Sequence, residues 1–326
     1  MELLVPVLLF LLGFVLLIKG GDWFVDGAVG IAHRFHLPEL LIGATVVSIG
    51  TTLPEVMVSS QAAFQGNSGI SYGNAIGSII CNTSLIAALT VAIRPGSVNK
   101  KTLFMPAAFF FGSALLYSVI AYTSGQFRRW HGVLFLGIFV VYMVMTVLNM
   151  KKNPDQAPED AGEEEKHKDN PLWKDLVLMV VGAAAIAVGA NLLVNNGTVI
   201  AAALGVPDAV IGLTMVALGT SLPELITAIT SLIKGHSALS LGNIIGANLF
   251  NLVLVSGMAI TISPFAVPAN KLIAGVNSSL VIDVPLMLGV MAILCVPALV
   301  NGKLKRWQGI SLLCIYVAFT VYQFVA

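Results

Sequence analysis

Two glutamates, Glu55 and Glu224, end the same short motif in two distant parts of the chain. The first copy reads Gly-Thr-Thr-Leu-Pro-Glu and the second Gly-Thr-Ser-Leu-Pro-Glu, and both lie inside apolar sequence. Each proline lacks an amide hydrogen and displaces the carbonyl four residues before it, which predicts a helix bend that frees the Gly50 and Gly219 carbonyls. Carboxylate, hydroxyl and free carbonyl oxygens are the ligands that Ca²⁺ and Na⁺ prefer.

A second motif follows each glutamate at the same distance. Residues 73–78 read Gly-Asn-Ala-Ile-Gly-Ser and are followed by Asn82, whereas residues 242–247 read Gly-Asn-Ile-Ile-Gly-Ala and are followed by Asn251. The glycines allow helices to approach closely. Ser78 and Asn82 are four residues apart and share one helix face. We predict that Ser78, Asn82 and Asn251 project toward the glutamates.

The repetition of the acid favours an ion site over simple helix packing. A single glycine-rich membrane helix with threonines is often only a packing surface. Two glutamates at matching positions are harder to explain in that way, because each unpaired charge costs on the order of 3 kcal/mol at the bilayer centre. No His or Cys accompanies the glutamates, which argues against zinc, copper or iron.

The composition requires a membrane protein. Of 326 residues, 57% are hydrophobic and 10% charged, and the mean hydropathy is +0.92, which excludes a soluble domain. Apolar runs of membrane-spanning length recur and lack the alternation of a β-barrel. We predict an all-α integral membrane protein with ten transmembrane helices and read the N-terminus as the first of them. The predicted spans are about 3–32, 38–64, 69–93, 103–123, 131–149, 174–204, 207–233, 238–262, 280–300 and 307–325.

The chain consists of two copies of one unit. From Gly20 against Gly189 to Pro95 against Pro264, the halves align at a constant offset of 169 residues without a gap, and about ten extra residues follow in the second half near 265–280. Five spans per copy is an odd number, so the second copy enters the membrane from the opposite side. We predict a first five-helix repeat at 1–149, a polar linker at 150–173 and a second, inverted repeat at 174–326.

The loops differ in their content of Lys and Arg. If the N-terminus is outside, the inner loops hold 13 of these residues and the outer loops hold 3. An excess of Lys and Arg marks cytoplasmic loops. We therefore predict a multi-pass protein of the cell membrane, the plasma or inner membrane, with both termini outside and the linker in the cytoplasm. A net charge of +1 indicates no affinity for nucleic acid.

The two motifs, their spacing and the ten-span layout resemble the alpha-repeats of the sodium/calcium exchanger family, within the calcium/cation antiporters. The short loops are similar to those of the prokaryotic members, which implies the membrane of a prokaryote. The resemblance implies exchange of Ca²⁺ for Na⁺ by alternating access, at a central site built from the second, third, seventh and eighth helices. It also implies that the long first and sixth helices slide against the rest, and that Glu55 and Glu224 ligate the shared ion positions. The further ligands that it implies are Thr51 and Thr220 beside the glutamates, and Thr52, Ser221, Ser78 and the backbone carbonyls of Ser48 and Ala217 around flanking Na⁺ positions.

The sequence departs from the family pattern at two positions of the eighth helix. Asn251 stands where many relatives carry an acid, and Ala247 stands where they carry Ser. The expected site therefore holds two carboxylates. Two negative charges are neutralised by one Ca²⁺ or by two Na⁺, which explains how the two ions exclude each other. The ratio of Na⁺ to Ca²⁺ stays open.

Other polar residues are interpreted as structural. Asp22 and Asp26 in the first span align with Asn191 and Asn195, which favours an interfacial role. Asp283 precedes Pro285, a pattern typical of a helix N-cap. The five histidines, His33, His36, His131, His167 and His236, lie in or near predicted loops and are expected to be solvated. The three cysteines, Cys81, Cys295 and Cys314, are expected to be buried.

The motifs fit three other functions less well than they fit Ca²⁺/Na⁺ exchange. A Ca²⁺/H⁺ antiporter would also use the glutamates, but the flanking hydroxyls are needless for a proton. A cation channel usually surrounds its pore with several copies of a filter. An intramembrane enzyme is disfavoured because no nucleophile and base pair is present. We expect a transporter, not an enzyme, with Ca²⁺ and Na⁺ as transported ions, membrane lipid as its surroundings, no organic cofactor and no obligatory protein partner, hence a monomer.

Overall fold

The computed structural model describes residues 3–152, 171–204, 219–269, 272–273 and 275–325. Ten helices account for most of these residues. In chain order they are α1 Leu4–Arg34, α2 Glu39–Phe64, α3 Ser68–Ile93, α4 Lys100–Ser124, α5 Arg129–Lys152, α6 Leu172–Ala203, α7 Leu222–Ile233, α8 Ser237–Ile262, α9 Ser279–Asn301 and α10 Arg306–Val325. Nine of them match predicted spans to within a few residues, and the predicted span at 207–233 falls partly outside the described residues.

Eight of the helices are long and apolar enough to cross a membrane, all except α7 and α10. Burial separates them into inner and outer members. In the most apolar window of each helix, 72% of α3 and 83% of α8 is buried, against 22% of α1 and of α6. The centre of the bundle is therefore formed around α3 and α8, while α1 and α6 lie at its edge with few fully buried residues.

The first and sixth helices run antiparallel in close contact. A Cβ added to Gly13 would lie 2.9 Å from the Gly189 carbonyl oxygen, and one added to Gly20 would lie 2.9 Å from the Gly182 carbonyl oxygen. Going from Gly13 to Gly20 along α1, the contacted residue in α6 changes from Gly189 to Gly182, so the two helices run in opposite directions. Because Gly13 aligns with Gly182 and Gly20 with Gly189 in the two copies, equivalent helices point in opposite directions. The inverted relation of the repeats is thereby confirmed.

A second pair of contacts shows how the halves interlock. Gly132 of α5 lies against Gly257 and Thr261 of α8, and Gly309 of α10 lies against Ala88 and Ala92 of α3. Residues 88 and 92 align with 257 and 261 at the offset of 169. The same close contact therefore occurs twice, and each time it joins one half to the other.

The described loops contain six short strands, and two of their three pairs again join one half to the other. They are β1 Gly96–Ser97, β2 Gln126–Phe127, β3 Phe265–Ala266, β4 Leu272–Ile273, β5 Val276–Asn277 and β6 Lys303–Leu304. β1 pairs antiparallel with β6, and β2 pairs antiparallel with β3. Each of these pairs joins loops that were predicted on one side of the membrane. β4 and β5 pair with each other in the extra segment of the second half.

Two polar residues of α1 hold the end of α7. The Lys234 ammonium nitrogen lies 2.8 Å from the Asp26 carboxylate and 3.5 Å from that of Asp22. The same nitrogen donates a hydrogen bond to the Asp22 carbonyl at 3.0 Å. These contacts agree with an interfacial role for the two aspartates.

The prediction that Asp283 caps a helix is wrong. Helix α9 begins at Ser279 with a wide π-helical turn, and Asp283 ends that turn without a side-chain capping bond. The N-cap position of this helix is Ser278, and the Asn277 side chain just before it accepts a hydrogen bond from the Ser279 amide at 2.9 Å. Pro285 suggested a helix start because proline is common in a first turn, but here the wide turn precedes it.

Two histidines and one cysteine also differ from expectation. His131 is 5% exposed and accepts a hydrogen bond from the Arg128 amide at its Nδ1, so it closes the turn that begins α5. His236 Nδ1 lies 2.8 Å from a Glu39 carboxylate oxygen. His33 and His36 are exposed as predicted, and His167 lies outside the described residues. Cys314 is exposed, whereas Cys81 and Cys295 are buried, because α10 lies at the edge of the bundle.

Replacing Gly132 by Ala should destabilise the protein. The new Cβ would lie 2.6 Å from the Thr261 amide nitrogen and 2.7 Å from the Gly257 carbonyl oxygen, so α5 and α8 would have to move apart, at a cost of about 1–3 kcal/mol. Gly137→Ala on the same helix is the control, since a Cβ there meets nothing within 4 Å. Thermal unfolding in detergent should show a lower midpoint for Gly132→Ala alone, and equal midpoints would contradict the interlocked packing.

Candidate functional site

The site motifs lie where regular helical hydrogen bonding is interrupted. Pro54 stands inside α2, so the Gly50 carbonyl cannot accept the usual bond from an amide four residues later. Pro223 stands in the first turn of α7 as described, a position that needs no bend. Asn82 and Asn251 each begin a wide π-helical turn, in α3 and α8 respectively. Such turns occur often at functional sites because they leave backbone groups free.

The two glutamates are brought together in the interior. Glu55 and Glu224 are each 0% exposed, and their carboxyl groups lie within electrostatic range of each other. None of the four carboxylate oxygens has a hydrogen-bond partner. Among the described residues, no Lys, Arg or His forms an ion pair with either of them. Unpartnered buried acids of this kind require an explanation, and a bound cation between them would provide one.

Hydroxyl groups from both halves surround the acids. Thr51 and Thr52 are 2% and 0% exposed, and both hydroxyls lie beside the Glu224 carboxyl group, so the first half supplies oxygens to the acid of the second. The Thr52 hydroxyl has no hydrogen-bond partner. Ser221 is 2% exposed, and its hydroxyl is likewise unpartnered. Thr220 is half-buried directly before α7.

The amides of the second motif are buried and unpartnered. Asn82 and Asn251 are 0% exposed, and neither the oxygen nor the nitrogen of either side chain has a hydrogen-bond partner. They occupy equivalent positions in α3 and α8, the two helices with the largest buried share. Ser78 is 5% exposed one turn before Asn82, and Ala247, its counterpart, is fully buried. The oxygen set is therefore richer on the side of α3 than on the side of α8.

Two of the predicted ligands are backbone carbonyls, those of Ser48 and Ala217. The Ser48 carbonyl oxygen lies 3.5 Å from the Thr51 hydroxyl, so it faces the same region as the other oxygens. The Ser48 side chain points elsewhere and donates to the Gly43 carbonyl at 2.7 Å. Ala217 lies outside the described residues.

The sequence analysis did not predict that two asparagines of the second motif form hydrogen bonds with residues around the two glutamates. Asn243 Oδ1 lies 3.2 Å from the Thr51 hydroxyl and 3.3 Å from the Ser48 hydroxyl. Asn74, its counterpart, donates to the Glu55 carbonyl at 3.1 Å and to the Ser59 hydroxyl at 2.8 Å. The available signal was the Gly-Asn pair that both copies share, which was interpreted only as a place of close helix approach.

The ligand types fit a hard cation. The carboxylate, hydroxyl and amide oxygens of the two motifs are buried, and oxygens of these types are the ligands that Ca²⁺ and Na⁺ prefer. Among the described residues no group of three or more His, Cys, Asp or Glu side chains is placed to hold a metal ion. The arrangement differs from a transition-metal site, which would need nitrogen or sulfur ligands.

Comparison with known proteins agrees with a site for hard cations. A family model described as sodium/calcium exchanger protein matches residues 5–148 and 174–325. The chain is 35% identical to the putative antiporter CaxA of Alkalimonas amylolytica over 99% of both chains. It is 32% identical to the sodium/calcium exchanger MaX1 of Methanosarcina acetivorans, over 97% of this chain and 98% of MaX1. A structure of the sodium-calcium exchanger NCX_Mj soaked with Na⁺ and Sr²⁺ superposes with a TM-score of 0.80 at 34% identity, over 97% of both chains.

Replacing either buried glutamate by glutamine should stabilise the protein in the absence of cations and remove its stabilisation by Ca²⁺. Glu55→Gln and Glu224→Gln each end the repulsion between two unpartnered carboxylates, so the unfolding midpoint without cations should rise. Ca²⁺ at 100 times its Kd should stabilise the wild-type protein by about 2.7 kcal/mol and should leave both variants unchanged. Thermal unfolding with and without Ca²⁺ measures both effects. Equal stabilisation of the wild-type protein and both variants would show that the glutamates do not bind Ca²⁺.

Proposed function

Because the chain belongs to the sodium/calcium exchanger family, we propose that it exchanges Ca²⁺ for Na⁺ across the membrane at one central site. The observation that carries this proposal is the pair of fully buried carboxylates, one from each half, without hydrogen-bond or ion-pair partners. A cation passing through would neutralise them in turn. Transport without bound cations would leave two charges uncompensated in the apolar interior, which is unfavourable.

The two glutamates would be the ligands that both ions share. One Ca²⁺ or two Na⁺ neutralise two carboxylates, so each ion displaces the other instead of binding beside it. Competition of this kind is what couples the two fluxes, since simultaneous binding would dissipate the gradient. The remaining oxygens would complete the coordination of Ca²⁺ and of flanking Na⁺. The proposed further ligands are Thr51, Thr52, Ser78, Asn82, Thr220, Ser221, Asn251 and the backbone carbonyls of Ser48 and Ala217.

Access to the site would alternate through movement of α1 and α6. Both helices lie at the edge of the bundle and contact each other through glycines, so they can move together without disrupting the interior around α3 and α8. A cavity of about 10 Å³ separates them from the two prolines of the site. It is lined by Phe24, Gly50, Thr51, Pro54, Ala183, Ile186, Ala187 and Pro223. Sliding of α1 and α6 past this cavity would open the site to one side or the other.

The chain would be arranged in the cell membrane as two repeats of opposite orientation, 1–149 and 174–326. The connector 150–173 would be cytoplasmic and both termini outside. The distribution of Lys and Arg supports this orientation. The strand pairs β1–β6 and β2–β3 support the grouping of the loops, since each pair joins loops assigned to one side.

Vesicles that contain the purified protein and are loaded with Na⁺ should take up ⁴⁵Ca²⁺ when diluted into Na⁺-free buffer at constant pH. Glu55→Gln and Glu224→Gln should abolish this uptake, because one carboxylate cannot neutralise Ca²⁺. Glu39→Gln is the matched control, since Glu39 pairs with His236 at a helix end and lies outside the site. Its uptake should match the wild type.

Two results would reject the proposal. Uptake that is unchanged in both site variants would show that the glutamates do not carry the ion. Uptake by the wild-type protein that depends on a pH gradient but not on Na⁺ would show a different exchanged ion.

A further inference from the structure

Asn243 is held against the ion-binding helix α2 by close backbone packing. A Cβ added to Gly43 of α2 would lie 2.8 Å from the Asn243 amide nitrogen, and one added to Gly246 of α8 would lie 2.7 Å from the Ala44 carbonyl oxygen. Only glycine permits this approach from both sides. The position of the Asn243 backbone relative to α2 is therefore set by direct contact, with little freedom to shift.

The Asn243 side chain bonds to a candidate ion ligand of the other half. Its Oδ1 accepts a hydrogen bond from the Thr51 hydroxyl at 3.2 Å. Among the described residues the same hydroxyl also lies 3.5 Å from the Ser48 carbonyl oxygen, a distance at which a hydrogen bond is weak. Ser48 itself donates to the Gly43 carbonyl at 2.7 Å. Asn243 Oδ1 is thus a better acceptor for the single proton of Thr51 than the Ser48 carbonyl is.

The direction of that proton matters for a cation ligand. A threonine hydroxyl has one O–H donor and two acceptor lone pairs. To bind a cation it must turn its lone pairs toward the ion and its proton away. Thr51 lies beside the Glu224 carboxyl group, which would attract the proton if no other acceptor were available. The proton would then point into the site and compete with the cation for the carboxylate.

We propose that Asn243 is a positioning residue that accepts the proton of Thr51, so that the lone pairs of Thr51 face the cation beside Glu224. This inference rests on the proposed function, because it assigns Asn243 a role at the same ion site. Outer partners that orient ligands in this way typically change metal affinity by about 10–100-fold when they are removed.

The contact is specific to one half of the molecule. Asn74, the equivalent residue of the first copy, bonds to the Glu55 carbonyl and to Ser59, so it supports the backbone of an acid instead of orienting a hydroxyl. Asn243 is also fully buried, and its Nδ2 has no partner. The oxygen of this side chain is therefore the atom that makes its polar contacts with α2.

The test is equilibrium binding of ⁴⁵Ca²⁺ to the purified full-length protein in detergent without Na⁺. Asn243→Leu, which removes the acceptor at similar volume, should weaken binding about tenfold, and so should Thr51→Val. The double variant should bind within about threefold of either single variant, because the two residues act through one hydrogen bond. Asn243→Asp keeps an acceptor oxygen and should bind at least about threefold more tightly than Asn243→Leu.

Asn248→Leu is the matched control. Asn248 lies on the same helix, is equally buried and bonds to Thr83 and Met291, neither of which is a candidate ligand. Its Ca²⁺ affinity should equal that of the wild type. If Asn243→Leu does not fold, as judged by its unfolding midpoint, Asn243→Ala replaces it, since that change only removes atoms.

The possible outcomes separate this inference from the proposed function. Wild-type affinity in Asn243→Leu, or losses that multiply in the double variant, would overturn the positioning role while leaving Ca²⁺/Na⁺ exchange intact. Asn243→Asp binding as weakly as Asn243→Leu would also overturn it. Absence of Ca²⁺ binding in the wild-type protein would instead overturn the proposed function itself.

Discussion

The main constraint on this structure is the burial of two glutamates, one from each half, in an apolar interior. Neither the Glu55 nor the Glu224 carboxyl group has a hydrogen-bond partner, and among the described residues neither forms an ion pair. Such an arrangement is costly, and close contacts between the surrounding helices hold it in place. In the proposed function a cation between the two acids would remove this cost, so the same feature would give the protein its affinity for ions.

Those locking contacts come in pairs because the two halves are copies. The packing of Gly132 on α8 is repeated by Gly309 on α3, and the loop strands pair in the same way on both sides. An inverted repeat brings equivalent helices together at the middle of the bundle, so each half contributes one acid to one centre. The proposed ion site therefore lies at the interface of the two copies, and neither copy would form it alone.

The two halves are not identical around the proposed ion site. Ser78 in α3 has a hydroxyl that its counterpart Ala247 lacks, and Asn243 accepts a hydrogen bond from Thr51 whereas Asn74 donates one to the Glu55 carbonyl. The molecule also differs at its edge, where Lys234 binds Asp22 and Asp26 and the equivalent aspartate positions are asparagines. A symmetric fold therefore carries an asymmetric set of polar contacts, and the two faces of the site need not bind the ions equally.

The helices, the repeat and the acid pair follow from the sequence by itself, because the free energy of placing a residue in the bilayer is largely a local property and repeated motifs are visible in one chain. The wrong predictions concerned residues whose environment depends on parts of the chain that are distant in sequence. The sequence predicts Asp283 as a helix cap, but the helix already begins at Ser279 with a wide turn, and it predicts a solvated His131, which is buried. Only the tertiary structure could pair Thr51 with Asn243, 192 residues away, because hydrogen bonds are chosen by packing geometry that no local pattern encodes.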